Sequence, residues 1–110
     1  MGVLEFARRS GDYALVGAAA VVTPAADDHC ISAHIAYLGI AGAPIRGFDV
    51  EAAIVGTSLD ETSLDAAAEA AGMLVSDDMG DVHATVEYRR VLTRELTKRV
   101  LRTAWERRGH

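Results

Sequence analysis

The chain has 110 residues, is 50% hydrophobic, and carries a net charge of −5 with a single cysteine, Cys30. That length supports one globular domain, read over residues 1–110, with one modest core. No apolar run reaches the ~18 residues that a membrane span needs. A lone cysteine excludes an internal disulfide and fits a reducing cytoplasm, and the opening MGVLEFARR lacks the basic-then-apolar order of an export leader.

Charge is unevenly placed. Residues 1–86 hold 13 acidic and 3 basic side chains, whereas residues 87–110 hold 3 acidic and 8 basic ones. The basic residues at the end are interleaved with leucines and valines on a helical pattern. They read as a solvated face that complements an acidic body or partner, and nucleic acid is not expected as a partner.

In chain order, a short strand from Val3 to Ala7 comes first. YALVGAAAVVTP follows as a long apolar run ended by Pro24, rich enough in valine to be a strand covered on both faces. Ala25-Ala26-Asp27-Asp28 is a turn, which makes a hairpin with HCISAHIAYL. There the period of two places Ile31, Ala33, Ile35 and Tyr37 on one face. A further short strand is expected around Pro44 to Arg46, among the punctuating Gly39, Gly42 and Gly47.

From Gly47 onward the period becomes helical. FDVEAAIVG predicts a two-turn helix stopped by Gly56. SLDETSLDAAAEAAG predicts a second helix, with Ser58 or Asp60 as N-cap, acids in its first turn and a stop at Gly72. In the last and longest helix Tyr88, Leu92, Leu96 and Val100 recur every four residues, with Val91 beside them, as an apolar stripe. Glu95 and Arg99 stand at a favourable i,i+4 spacing. Arg89 and Arg90 are expected toward solvent or a neighbouring domain, and Trp105 toward the body or a partner. Strands first and helices afterwards predict an α+β fold, a small antiparallel sheet of three to four strands with three helices on one face.

Chemistry-bearing motifs are sparse. Asp27-Asp28-His29-Cys30 has metal-ligand residue types, but adjacent residues point in opposite directions and no second cluster stands at zinc spacing, so a turn is the better reading and no metal is expected. Asp81 and His83 could act as an acid–base pair, though caps for the last helix fit them better. His29 and His34 are read as packed or exposed without function. No serine lies in a G-x-S-x-G elbow, Cys30 has no signature of an activated thiol, and neither G-x-G-x-x-G nor G-x-x-x-x-G-K-[ST] is present. No catalytic residue is nominated.

Three stretches remain: EFARRSGDYALVGAAA (Glu5 to Ala20), APIRGFDVEAAIVG (Ala43 to Gly56) and DVHATVEYRRVLTREL (Asp81 to Leu96). In content, order and spacing they resemble the C-terminal domain of the FAD-binding subunit of carbon monoxide dehydrogenase and related molybdenum hydroxylases, the xanthine dehydrogenase group. The resemblance covers nearly all of residues 2–104. It implies a role in a complex where a molybdenum subunit oxidises substrate, two iron–sulfur clusters carry electrons to FAD, and the flavin subunit passes them on. The implied partners are therefore the FAD-binding subdomains, the iron–sulfur subunit and the molybdenum subunit.

The resemblance also implies that the start of this domain passes beside the flavin ring, which nominates Glu5, Arg8, Arg9, Asp12 and Tyr13 as cofactor-facing residues. A cation near the ring's N1–C2 edge stabilises anionic reduced flavin, and an acid such as Asp12 can order that cation. In an extended segment Arg8 and Arg9 face opposite sides, so one of them at most reaches the ring. Plain surface charges around a Gly11–Asp12 turn are the competing reading of these residues. The glycine motifs that cradle the FAD diphosphate in the family belong to preceding subdomains and are missing here. The chain alone is thus expected neither to be catalytic nor to hold FAD. A stand-alone interaction or dimerisation module, a homo-oligomer that keeps the fold without flavin, is the alternative.

Overall fold

The computed structural model describes residues 2–8, 14–79 and 85–107, with backbone alone for 2, 4–8, 14 and 15. Four strands come first, β1 (Gly2–Arg8), β2 (Ala14–Pro24), β3 (Cys30–Leu38) and β4 (Ile45–Arg46), followed by α1 (Phe48–Ile54), α2 (Glu61–Gly72) and α3 (Val86–Glu106). The sheet is antiparallel in the order β1-β2-β3-β4. α3 lies against β1 and β2, α1 against β3, and α2 packs on the other two helices. The predicted α+β layering therefore holds, with β4 shortened to two residues.

The core lies between sheet and helices. Val16, Ala18, Ala20 and Val22 of β2 and Ala33, Ile35 and Tyr37 of β3 point into it, where they meet Val50 and Ile54, Leu64, Ala67 and Ala71, and Leu96, Val100 and Leu101. The alternate residues of β2, Ala19, Val21 and Thr23, are exposed. β2 is thus covered on one face and not on two. All three helices contribute to the same core cluster, and small or β-branched side chains read as apolar on whichever side they stand.

Two local departures have physical causes. Ile31, expected inward, is 63% exposed, while Cys30 is buried. The β2–β3 register shifts at Thr23/Pro24, so that Thr23 pairs with Ser32 and Pro24 with Cys30, and Ile31 is passed over. Cys30 is drawn inward because its N–H donates to Thr57 O (2.7 Å) and its C=O accepts from Gly56 N–H (2.7 Å). In α3 the buried stripe is Arg89, Thr93, Leu96, Thr97, Val100, Leu101, Ala104 and Trp105, while Tyr88 and Val91 are 38% and 44% exposed. A strict four-residue spacing drifts by about 40° per step around a helix of 3.6 residues per turn, so the leucine row alone could not stay on one face. The threonines complete it by bonding back: Thr93 Oγ1 donates to Arg89 O and Thr97 Oγ1 to Thr93 O, each at 2.7 Å.

The predicted stop of α1 holds, and of the two caps offered for α2, Ser58 and Asp60, the second serves. Gly56 follows α1 with φ +85°, a conformation that glycine adopts without strain. Asp60 is the N-cap of α2 and accepts from Ser63 N–H at 2.9 Å. The Ala25–Asp28 turn closes the β2–β3 hairpin through Ala25 N–H to His29 O and Asp28 N–H to Ala25 O.

Candidate functional site

Of the cofactor-facing residues nominated from sequence, Glu5 and Arg8 lie on β1. Glu5 pairs with Ala18, and Arg8 with Ala14 across a register shift after Ala7. Arg9, Asp12 and Tyr13 lie outside the described residues. The β1–β2 connection springs from the end of the sheet where Gly17 pairs with both Phe6 and Leu38.

At that end the backbone beyond β3 is tied to the helical layer twice: Arg89 Nη1 donates to Gly39 O (3.1 Å), and Ser76 N–H donates to Ile40 O (2.8 Å). Arg89, expected toward solvent or a neighbouring domain, is only 7% exposed, because its position continues the Thr93/Thr97 stripe and its guanidinium finds a carbonyl below. Arg90 does face outward and holds Asp77 (2.6 Å) and Glu87 (2.9 Å). The N-cap of α3 is Thr85, whose Oγ1 accepts from Tyr88 N–H at 3.0 Å, and not the expected Asp81 or His83, which lie outside the described residues.

A second arrangement was not foreseen. β4 pairs with β3 only at Ala36 and Tyr37, and there the chain turns into α1. Ile35 C=O still accepts from Gly47 N–H (2.8 Å), but Ile35 N–H has no strand to pair with and donates to the Glu51 carboxylate instead (2.9 Å). Arg46 clamps the same carboxylate through Nε (2.8 Å) and Nη2 (2.9 Å), and its guanidinium stacks 4.4 Å from the centroid of Phe48. Burial pushes the Glu51 carboxyl up, but the Arg46 fork and the Ile35 N–H outweigh it and hold the group below its ordinary value. Gly47 is required between them, since a Cβ there would stand 2.9 Å from the Tyr37 ring. The signal available in the sequence was the R-G-F-x-x-E spacing, Arg46 to Glu51. This bracket ties the start of α1 to the edge of β3.

On the outer face of the sheet the small side chains leave a groove of about 470 Å³, bordered by Ala19, Val21, His34, Ala36 and Arg46. At the far hairpin, Asp27 accepts from His29 N–H (3.3 Å), with its other oxygen 3.4 Å from His29 Nδ1. Cys30 points inward to Ser32 O (3.3 Å), and burial pushes its thiol up. These groups do not converge, and among the described residues no three His, Cys, Asp or Glu side chains gather as a metal site. Among the same residues no helix is long and apolar enough to cross a membrane.

The described residues do not build a cradle for the diphosphate of a flavin dinucleotide. The N-termini of α2 and α3 are closed by Asp60 and Thr85, and α1 is preceded by Gly47, whose N–H donates to Ile35 O.

Residues 3–104 match the CO dehydrogenase flavoprotein C-terminal domain family. The chain belongs to that family. It is 39% identical over 100 residues to the nicotine 6-hydroxylase medium subunit of Paenarthrobacter nicotinovorans, covering 91% of this chain and 35% of that one. It is 36% identical over 103 residues to the 6-hydroxypseudooxynicotine dehydrogenase complex subunit alpha of the same organism, covering 94% and 34%. Among solved structures, carbon monoxide dehydrogenase from Hydrogenophaga pseudoflava superposes with a TM-score of 0.87 at 27% identity over 98% of this chain and 37% of that one. The chain therefore spans about a third of the length of the relatives it matches. Within this flavoprotein domain the Arg46–Glu51 bracket lies in the second stretch recognised in the sequence, and the buried Arg89 in the third.

Proposed function

We propose that this chain works as the C-terminal domain of the flavin subunit of a molybdenum-containing hydroxylase or dehydrogenase. Its segment from Glu5 through Arg8, Arg9 and Asp12 to Tyr13, which includes the end of β1, passes beside the flavin ring. FAD is held chiefly by the rest of the subunit, and the iron–sulfur and molybdenum subunits are the electron-donating partners. The observation that carries this reading is the match of residues 3–104 to the flavoprotein C-terminal domain. FAD supplies the hydride and electron chemistry. The chain's own part is to shield the ring from water and place a guanidinium from Arg8 or Arg9 where negative charge develops on reduction.

The test is a hybrid in which this chain replaces the matched third of the nicotine 6-hydroxylase medium subunit. The hybrid is expected to purify with FAD at near one per chain, while the 110-residue chain alone shows no stoichiometric FAD binding. Replacing Arg8 and Arg9 by Gln in the hybrid should make the flavin potential more negative. Tight one-to-one FAD binding by the isolated chain, or a folded hybrid without flavin, contradicts the proposal and favours the stand-alone module.

A further inference from the structure

We infer that Arg89 is a positioning residue for the segment from Glu5 to Tyr13, acting on it through the sheet, an inference that rests on the function proposed above. β1 ends at Arg8, β2 starts at Ala14 and β3 ends at Leu38, all at one end of the sheet. Phe6 pairs with Gly17 and Gly17 with Leu38, so the exit of β3 lies two strand spacings, roughly 10 Å, from the end of β1. Strand ends fray unless something ties them down.

The loop that leaves β3 has little of its own to do this with. Ala41, Gly42, Ala43 and Pro44 carry small side chains or none, and a Cβ on Gly42 would meet nothing within 4 Å. Of residues 39–44 only Ile40 is buried. Two backbone carbonyls supply the rest of the anchor. Gly39, at φ +84°, accepts from Arg89 Nη1 (3.1 Å), and Ile40 accepts from Ser76 N–H (2.8 Å).

α3 is keyed to that exit at two points. Thr97 meets the Tyr37 hydroxyl two residues before Gly39, and Arg89 reaches Gly39 itself. Eight residues of α3 separate these contacts, about 12 Å along its axis, so together they fix where the helix stands against the end of β3. Thr93 joins them, bonding back to Arg89 O at 2.7 Å. An apolar row such as Val100, Leu101 and Ala104 buries as well but sets no such register. With β3 held as far as Gly39, Gly17 keeps its partner and β2 keeps Ala14 opposite Arg8. A guanidinium that stabilises reduced flavin must be in place before the charge appears, so the strand that carries Arg8 has to be fixed in advance.

The test uses the hybrid described above. Arg89→Met removes the donor and keeps an unbranched side chain. Amide hydrogen exchange at residues 38–43 should rise about ten-fold or more, while α2 and the second half of α3 stay unchanged. The flavin potential should become more negative, as with Gln at positions 8 and 9, and Arg89→Lys should recover part of both effects. Adding Arg89→Met to the Arg8→Gln, Arg9→Gln variant should shift the potential no further, because the residues act through one position. Faster exchange at an unchanged potential, or a further shift that simply adds, overturns the inference and leaves the proposed function standing. Unchanged exchange in both Arg89 variants overturns it too. Where Arg89→Met does not fold, Arg89→Lys carries the test, with smaller changes in the same directions. A hybrid that folds without FAD before Arg89 is altered contradicts the proposed function itself, and the inference falls with it.

Discussion

Glu51 on α1 stands in for the strand that β4 is too short to be, accepting the Ile35 N–H while Arg46 neutralises its charge. Glu51→Ala leaves that buried N–H without an acceptor and should cost about 1–3 kcal/mol, read from the urea midpoint. The sign of its pH dependence follows from the lowered carboxyl: the stabilisation is present above the unfolded carboxylate value of about 4.3 and is lost as pH falls through the folded value. The wild-type midpoint should therefore approach that of Glu51→Ala on acidification, and a constant gap between them at every pH would count against the bracket. Tyr37 makes the same kind of link between layers. Thr97 already donates to Thr93 O, so the Tyr37 hydroxyl donates to Thr97 Oγ1 at 2.6 Å, and burial raises its pKa far above the ordinary phenol value. Tyr37→Phe should lower stability by about 0.5–1.5 kcal/mol. The Ile35–Glu51 and Tyr37–Thr97 bonds were not legible in sequence, because each joins residues far apart in the chain, and the Arg46–Glu51 pair left only its spacing as a signal. Sequence spacing reports the face of one element and says nothing about the partner that another element brings to it.

Helices and strands were read more faithfully than contacts. Gly56 announced the end of α1, and the pair Ser58 or Asp60 the start of α2, because both signals are local, one a left-handed residue and the other a side-chain acceptor for the first N–H groups. The start of α3 was misplaced onto Asp81 and His83, although Thr85 is an equally good cap chemically and stands directly before Val86. Thr85→Ala should cost about 1 kcal/mol by loss of the bond to Tyr88 N–H, measurable by thermal melting. Of its expected stripe Leu96 and Val100 are buried, but Arg89, Thr93 and Thr97 were overlooked because they look polar in isolation, although each donates a hydrogen bond to a carbonyl. β2 was read as covered on both faces for the opposite reason. Its alanines and valines fill both sides, and only the placement of the helices decides which side becomes core.

At the scale of the whole molecule, three stretches in one order were enough to give the family and the layered fold, because order and spacing survive where individual contacts cannot be read. The residues proposed to face the cofactor were less accessible: Glu5 and Arg8 fall on β1, and the role proposed for them depends on a flavin-binding neighbour that contributes no residue to this sequence. The account rests on this fold acting within a flavin assembly. The most direct test is to isolate from source cells, through an antibody to this domain, the native assembly that carries this sequence, and to record its polypeptide masses and visible spectrum. The account predicts a flavin spectrum and a polypeptide or tight partner that brings the mass well above 11.7 kDa. A colourless species at the mass of this chain alone would contradict it.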